Sequence, residues 1–229
     1  MKKNIGFLIY DDVQPMDVIG PWEVFSFWKN ILLAPVNLYL IAEKSAMVSC
    51  DSGICLQAHC DFNDAPKLNY LVVPGGRGRI KQMHNERLIA FIKNQAAQCE
   101  YILSVCTGMF LLSSAGVLKN KSVATYWRAM PELKKELGVH VAQSRIVKDG
   151  SIWTSGGVSS GIDLALAFIA EIAGVETAGK VQLLLEYFPD NQLYCSEQTV
   201  NTLPPYGGEY KNTIEDLPDY IKQYIRGKK

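Results

Sequence analysis

Four short runs in this chain are apolar at almost every position: residues 4–10, Val36–Ala42, residues 69–73 and Tyr101–Val105. A strand with one face in water alternates apolar and polar residues. Runs without alternation suit strands covered on both sides, as in a parallel sheet. Helix-like stretches lie between them, around residues 17–25, from Asn85 to Gln98, and after Cys106 as far as Gly116. Strands and helices that alternate along 229 residues predict one large α/β domain, with a mostly parallel sheet and helices on both faces.

The remaining segments fit this plan. Pro21 suits a helix N-terminus. Residues 47–57 read as a small hairpin turning at Asp51-Ser52-Gly53, and residues 122–125 as a short strand. A helix is expected over residues 131–137. Residues 145–154 carry Asp149-Gly150 at the centre of a hairpin pattern. An apolar helix follows Gly156-Gly157 as far as about Ala173, and a second runs to about Tyr187. The domain is thus assigned to residues 1–190. Residues 191–229 are polar, with Pro204-Pro205 and Gly207-Gly208, and form a tail with a possible short amphipathic helix over 214–225.

Charge and composition narrow the partners. Lys and Arg number 23, Asp and Glu also 23, and no basic block occurs, which argues against nucleic acid. The apolar run at the start is cut short by Asp11 and Asp12, with no small-residue cleavage site after it. The longest apolar stretch, residues 164–175, contains Glu171 and is too short to span a bilayer. These features predict a cytoplasmic protein with no membrane partner. No C-x-x-C pair exists among the six cysteines. Cys50, Cys55 and Cys60, with His59 beside the last, match no common zinc spacing, so no metal is expected.

Chemistry concentrates at Cys106, on the seam between a strand and a helix. Such a seam lifts a side chain to the carboxyl end of the sheet, where ligands of open α/β sheets bind. Helix N-terminal N–H groups favour thiolate, so a thiol pKa below the usual value is expected. A small buried hydrophobe is the alternative for Cys106. After the third strand, Gly75 and Gly76 can expose backbone N–H groups toward the sulfur and, with the Thr107 amide, stabilise developing negative charge; a plain tight turn is the alternative. Asp17 follows the first strand and can exchange protons with the thiol, or simply cap a helix; Glu23 is a second carboxyl candidate. The only histidines are His59, His84 and His140, and none lies in the segments that meet at Cys106. A Cys–His triad is therefore disfavoured.

These residues resemble a known family. The stretches at 17–25, Val73-Pro74-Gly75-Gly76, Ser104-Val105-Cys106-Thr107-Gly108, Ala115-Gly116, Ala124-Thr125-Tyr126-Trp127 and 154–163 are similar, in that order, to the ThiJ/PfpI superfamily, part of the class I glutamine amidotransferase-like group. Within it the likeness is greatest to isonitrile hydratases and their relatives. The resemblance implies a flavodoxin-like three-layer sandwich, no metal or other cofactor, and a homodimer. It implies Cys106 as nucleophile, Asp17 as its acidic partner, Thr107 beside it, and Gly75 and Gly76 framing the site. Tyr126 stands where relatives usually carry histidine, which alters the pocket. The tail beyond Cys195 departs from the family.

The resemblance thus implies a hydro-lyase that adds water to an isonitrile, a small-molecule substrate, to give an N-substituted formamide. Glyoxalase- or deglycase-type conversion of small aldehydes is an alternative use of the same thiol. A cysteine redox sensor is the non-enzymatic one. The same domain also forms the sensor half of AraC-type regulators, but this chain ends too soon after the fold for a DNA-binding region.

Overall fold

The computed structural model describes residues 2–135 and 138–189. The assigned tail, residues 191–229, with its expected helix and Cys195, lies outside the described residues. A seven-stranded sheet forms the centre. Its strands are β1 (Lys3–Leu8), β2 (Val36–Ala42), β5 (Cys60–Asp61), β6 (Tyr70–Val73), β7 (Tyr101–Val105), β10 (Ile146–Asp149) and β11 (Ile152–Ser155). They lie in the order β10-β11-β7-β6-β1-β2-β5. All neighbours pair in parallel except β10 and β11, which form the antiparallel hairpin turning at Gly150. β3 (Met47–Ser49) and β4 (Cys55–Gln57) make the small antiparallel hairpin. β8 (Lys121–Val123) and β9 (Val139–Val141) pair in parallel beside the main sheet.

Burial explains the arrangement. Every residue of β6 and β11 is buried, and so are four of the five in β7, as continuous apolar runs require. The edges are a two-residue strand, β5, and β10, whose Lys148 pairs with Glu171. A short edge and a charged edge both discourage pairing with another chain. Two helical layers flank the sheet. One contains α1 (Pro15–Asn30), α6 (Ser160–Ala173) and α7 (Val175–Leu184); the other contains α2 (Arg79–Gln82), α3 (Glu86–Ala96) and α4 (Met109–Ser114). Phe168 of α6 joins the first layer to the sheet: its ring meets Tyr70, Tyr101, Trp153 and Phe25 edge-on, 5.1 to 6.1 Å between centroids.

Two local readings need correction. Pro21 is inside α1, while Pro15 occupies the N-terminal turn and Gln14 caps it, accepting from Met16 N–H at 3.3 Å. A proline in the interior leaves the carbonyl four residues earlier, that of Asp17, without its usual helical donor. The helix expected over 131–137 is a single turn, α5 (Met130–Leu133), entered from a 3-10 turn at Trp127–Ala129. The turn expected at Cys106-Thr107-Gly108 is present as a 3-10 turn between the strand ending at Val105 and α4, which begins at Met109. The cap at Asn85 is as expected, accepting from the N–H groups of Arg87 and Leu88.

Candidate active site

Cys106 sits at the carboxyl end of β7 with φ of +59°, in the left-handed region that residues with a Cβ disfavour. Both of its backbone polar groups are held. Its N–H donates to the Gly156 carbonyl at 3.0 Å, and its carbonyl accepts from the Thr125 hydroxyl at 2.8 Å. Those two partners come from the segments after β11 and β8, so strands far apart in sequence fix one strained residue.

The segments after β1 and β6 supply the neighbours. Val13 bridges Gly76, and Gln14 N–H donates to the Gly75 carbonyl at 2.9 Å. This contact swings the first turn of α1 under the sulfur and buries Asp17 completely. Asp17 Oδ2 accepts from Gly75 N–H at 3.0 Å, and the carboxyl faces the Cys106 thiol. Gly76 N–H donates to Thr107 Oγ1 at 3.2 Å. The expectation that the Gly75 and Gly76 amides point at the sulfur is thereby corrected. They hold Asp17 and Thr107, and it is the Thr107 amide and hydroxyl that draw the thiol pKa down. The close approach explains the change: a Cβ on Gly75 would lie 2.5 Å from Thr107 Oγ1. Glu23 is exposed and takes no part.

Burial sets the protonation. It pushes the Asp17 carboxyl from an ordinary 3.8 up to about 8, against the lowering effect of the Gly75 N–H. Asp17 Oδ1 has no donor among the described residues, as suits an oxygen that itself carries the proton. The Cys106 thiol is also pushed up, first by burial and then by the Asp17 charge, with the Thr107 amide pulling the other way. The expected low thiol pKa is therefore corrected: Cys106 is only 6 % exposed, and a carboxyl rather than a cation is its neighbour. Burial thus favours the proton-carrying form of both groups.

Cys106 and Thr107 open into a cavity of about 400 Å³. Tyr126, Gln14, Arg79 and Val158 help to line it. None of the three histidines does. His59 instead accepts from Leu40 N–H at 2.9 Å and packs on Trp22. Among the described residues no group of three or more His, Cys, Asp or Glu is placed to hold a metal ion. None of the described helices is long and apolar enough to cross a membrane.

Reasoning from the sequence missed several members of the site. Tyr10 is buried at the end of β1, and its hydroxyl donates to the Pro74 carbonyl at 2.8 Å, fixing the glycine loop. Thr125 anchors Cys106. Gly157 lies against the sulfur, where a Cβ would be 2.7 Å from Sγ. Arg79, 9 % exposed, makes a two-pronged ion pair with Glu132 and stacks on Phe110 at 4.0 Å. Pairs of residues adjoining each sheet strand at its carboxyl end were the available signal for Tyr10 and Gly157; for Arg79 there was none.

The match to known families agrees with this geometry. Residues 3–171 match the pattern of the DJ-1/PfpI family. The chain belongs to the DJ-1/PfpI family. This DJ-1/PfpI chain is 40 % identical over 189 residues to an isonitrile hydratase of Pseudomonas putida, covering 82 % of the chain and 80 % of that protein. Among solved structures, a ThiJ/PfpI family protein from Pseudomonas syringae superposes with a TM-score of 0.79 at 26 % identity, covering 99 % of this chain and 86 % of the other. Drosophila melanogaster DJ-1beta shares the fold with a TM-score of 0.69 at 20 % identity, covering 82 % of this chain and all of the other. The flavodoxin-like three-layer sandwich expected from the sequence is therefore the fold of this protein.

Proposed function

We propose that the protein hydrates an isonitrile to an N-substituted formamide, with Cys106 as nucleophile and Asp17 as proton carrier. The observation that carries this reading is the buried thiol–carboxylic acid pair, with no imidazole in its cavity. Similarity to an isonitrile hydratase supports it. An isonitrile carbon needs both a nucleophile and a proton, while its first step expels no leaving group. Amide hydrolysis instead needs a base that can later protonate a departing amine.

The steps balance on this inventory. Asp17 gives its proton to the terminal carbon of R–N≡C and takes up the thiol proton as sulfur bonds to that carbon. The product is a thioimidate, R–N=CH–S–Cys106, with Asp17 protonated again. Water then adds to the same carbon while the nitrogen gains a proton through Asp17, giving R–NH–CH(OH)–S–Cys106. Breaking the C–S bond returns the proton to sulfur and releases R–NH–CHO. The Thr107 amide and hydroxyl stabilise charge that builds on the sulfur.

The test is formamide production from cyclohexyl isocyanide by the purified protein and by Cys106→Ala, with no metal or nucleotide added. Formamide above the level of the variant is the expected result. None above it, with rapid conversion of methylglyoxal, overturns the reading in favour of aldehyde chemistry.

A further inference from the structure

Three arginines, Arg77, Arg79 and Arg128, line the Cys106 cavity. Arg79 is neutralised by Glu132. The other two are not paired in this way. Arg77 donates to the backbone carbonyl of Asp51 at 3.1 Å, and Arg128 lies over the Trp127 ring at 5.0 Å. Among the described residues neither has a carboxylate within ion-pairing distance. Both side chains belong to exposed residues. The carboxylates lining the cavity are Glu132, already engaged, and Asp51. Burial favours the neutral forms of Asp17 and of the thiol beneath it. The lining thus holds three fixed positive charges and two negative ones.

We infer that the substrate carries a carboxylate, or an equivalent anionic group, on the carbon skeleton attached to its reactive end, and that Arg128 and Arg77 receive it. This inference rests on the reading of Cys106 as the reactive group in the same cavity. An uncharged alkyl substrate would leave both guanidiniums with only water and one carbonyl to satisfy them. An anion gains charge-assisted hydrogen bonds from a planar donor array, and Arg presents this better than Lys does. Asp51 opposes the anion, and its position on the Arg77 side makes Arg128 the stronger of the two receptors.

Two measurements test this. The first compares kcat/KM for isocyanoacetate with that for its ethyl ester, in the wild type, Arg128→Gln and Arg77→Gln. The acid-to-ester ratio should fall by about threefold to fivefold in Arg128→Gln, the range expected for a solvent-exposed ion pair, and by less in Arg77→Gln. An unchanged ratio in both variants overturns the inference, even where cyclohexyl isocyanide is hydrated. The second needs no hydration: the rate of alkylation of Cys106 by iodoacetate relative to iodoacetamide at pH 7, read by peptide mass spectrometry. That ratio should drop in Arg128→Gln, and in the wild type it should drop as salt is added. If the wild type hydrates no isonitrile, the proposed reaction fails and the alkylation ratio alone decides the preference for an anion. Equal ratios in the wild type and both variants then overturn it.

Discussion

Gly157 lies so close to Cys106 that a Cβ there would be 2.7 Å from the sulfur and 3.2 Å from the Tyr126 ring. Real side chains do not make the first contact. Gly157→Ala must displace the thiol or the loop, while the strands beneath it stay covered. The expected outcome is a loss of turnover of about a hundredfold, the order seen when a reacting atom moves by an ångström, with the far-UV circular dichroism unchanged. Parallel rate and melting measurements on the purified variant check it.

Asp17 makes both activity and stability depend on pH. Its pKa is raised in the folded state, from 3.8 to about 8, so the folded chain keeps a proton that the unfolded chain loses. Stability is then greatest at low pH and declines as pH rises from about 4 to about 8. Asp17→Asn mimics the protonated acid and removes this slope. Its stability relative to the wild type should grow across that window, by on the order of a few kcal/mol, as urea titrations at pH 5 and pH 8.5 can show. Turnover should be level below about 8 and fall above it in the wild type, because the acid is the proton-donating form. In Asp17→Asn it should be low throughout.

The thiol itself is slow to ionise at neutral pH. With iodoacetamide at pH 7, the exposed Cys55 should label before the buried Cys106. Asp17→Asn removes a charge that holds the Cys106 thiol up, so the pH at which Cys106 is half-ionised should fall in the variant. Peptide mapping over a range of pH measures both effects.

The Arg79–Glu132 pair ties the glycine-loop wall of the cavity to the wall that carries Tyr126 and Arg128. Glu132→Gln leaves a largely buried guanidinium without its counter-charge. Because Glu132 is half-exposed, water replaces part of the loss, and the expected cost is about 1 kcal/mol. Equilibrium unfolding in urea reads it.

Much of this arrangement is legible in the residues. Unbroken apolar runs mark β1, β2, β6 and β7 because both faces of those strands are covered. The Asp-Gly pair marks the β10–β11 hairpin because Gly150 needs a positive φ. The meeting of Asp17, Gly75 and Cys106 follows from placing three strand ends side by side. What fails is whatever depends on distance rather than order. Whether the Gly75 amide serves the sulfur or Asp17 is decided by an ångström or two. The direction of the thiol shift turns on whether burial outweighs the Thr107 amide, and no local pattern encodes that balance. Pro21 misleads because helix starts favour proline, yet Pro15 already holds that place.

The clamp on Cys106 has a consequence for the chain as it is being made. The sulfur is aimed only when Asp17, Thr125 and Gly156 have all arrived, and the last of these is synthesised fifty residues after the cysteine. A copy stalled on the ribosome, clipped within the second half or badly folded holds a plain thiol with no carboxylic acid beside it. The thiol and its acid therefore meet only when the sheet is complete, so an incomplete molecule exposes an ordinary cysteine that can be alkylated but lacks the paired proton carrier.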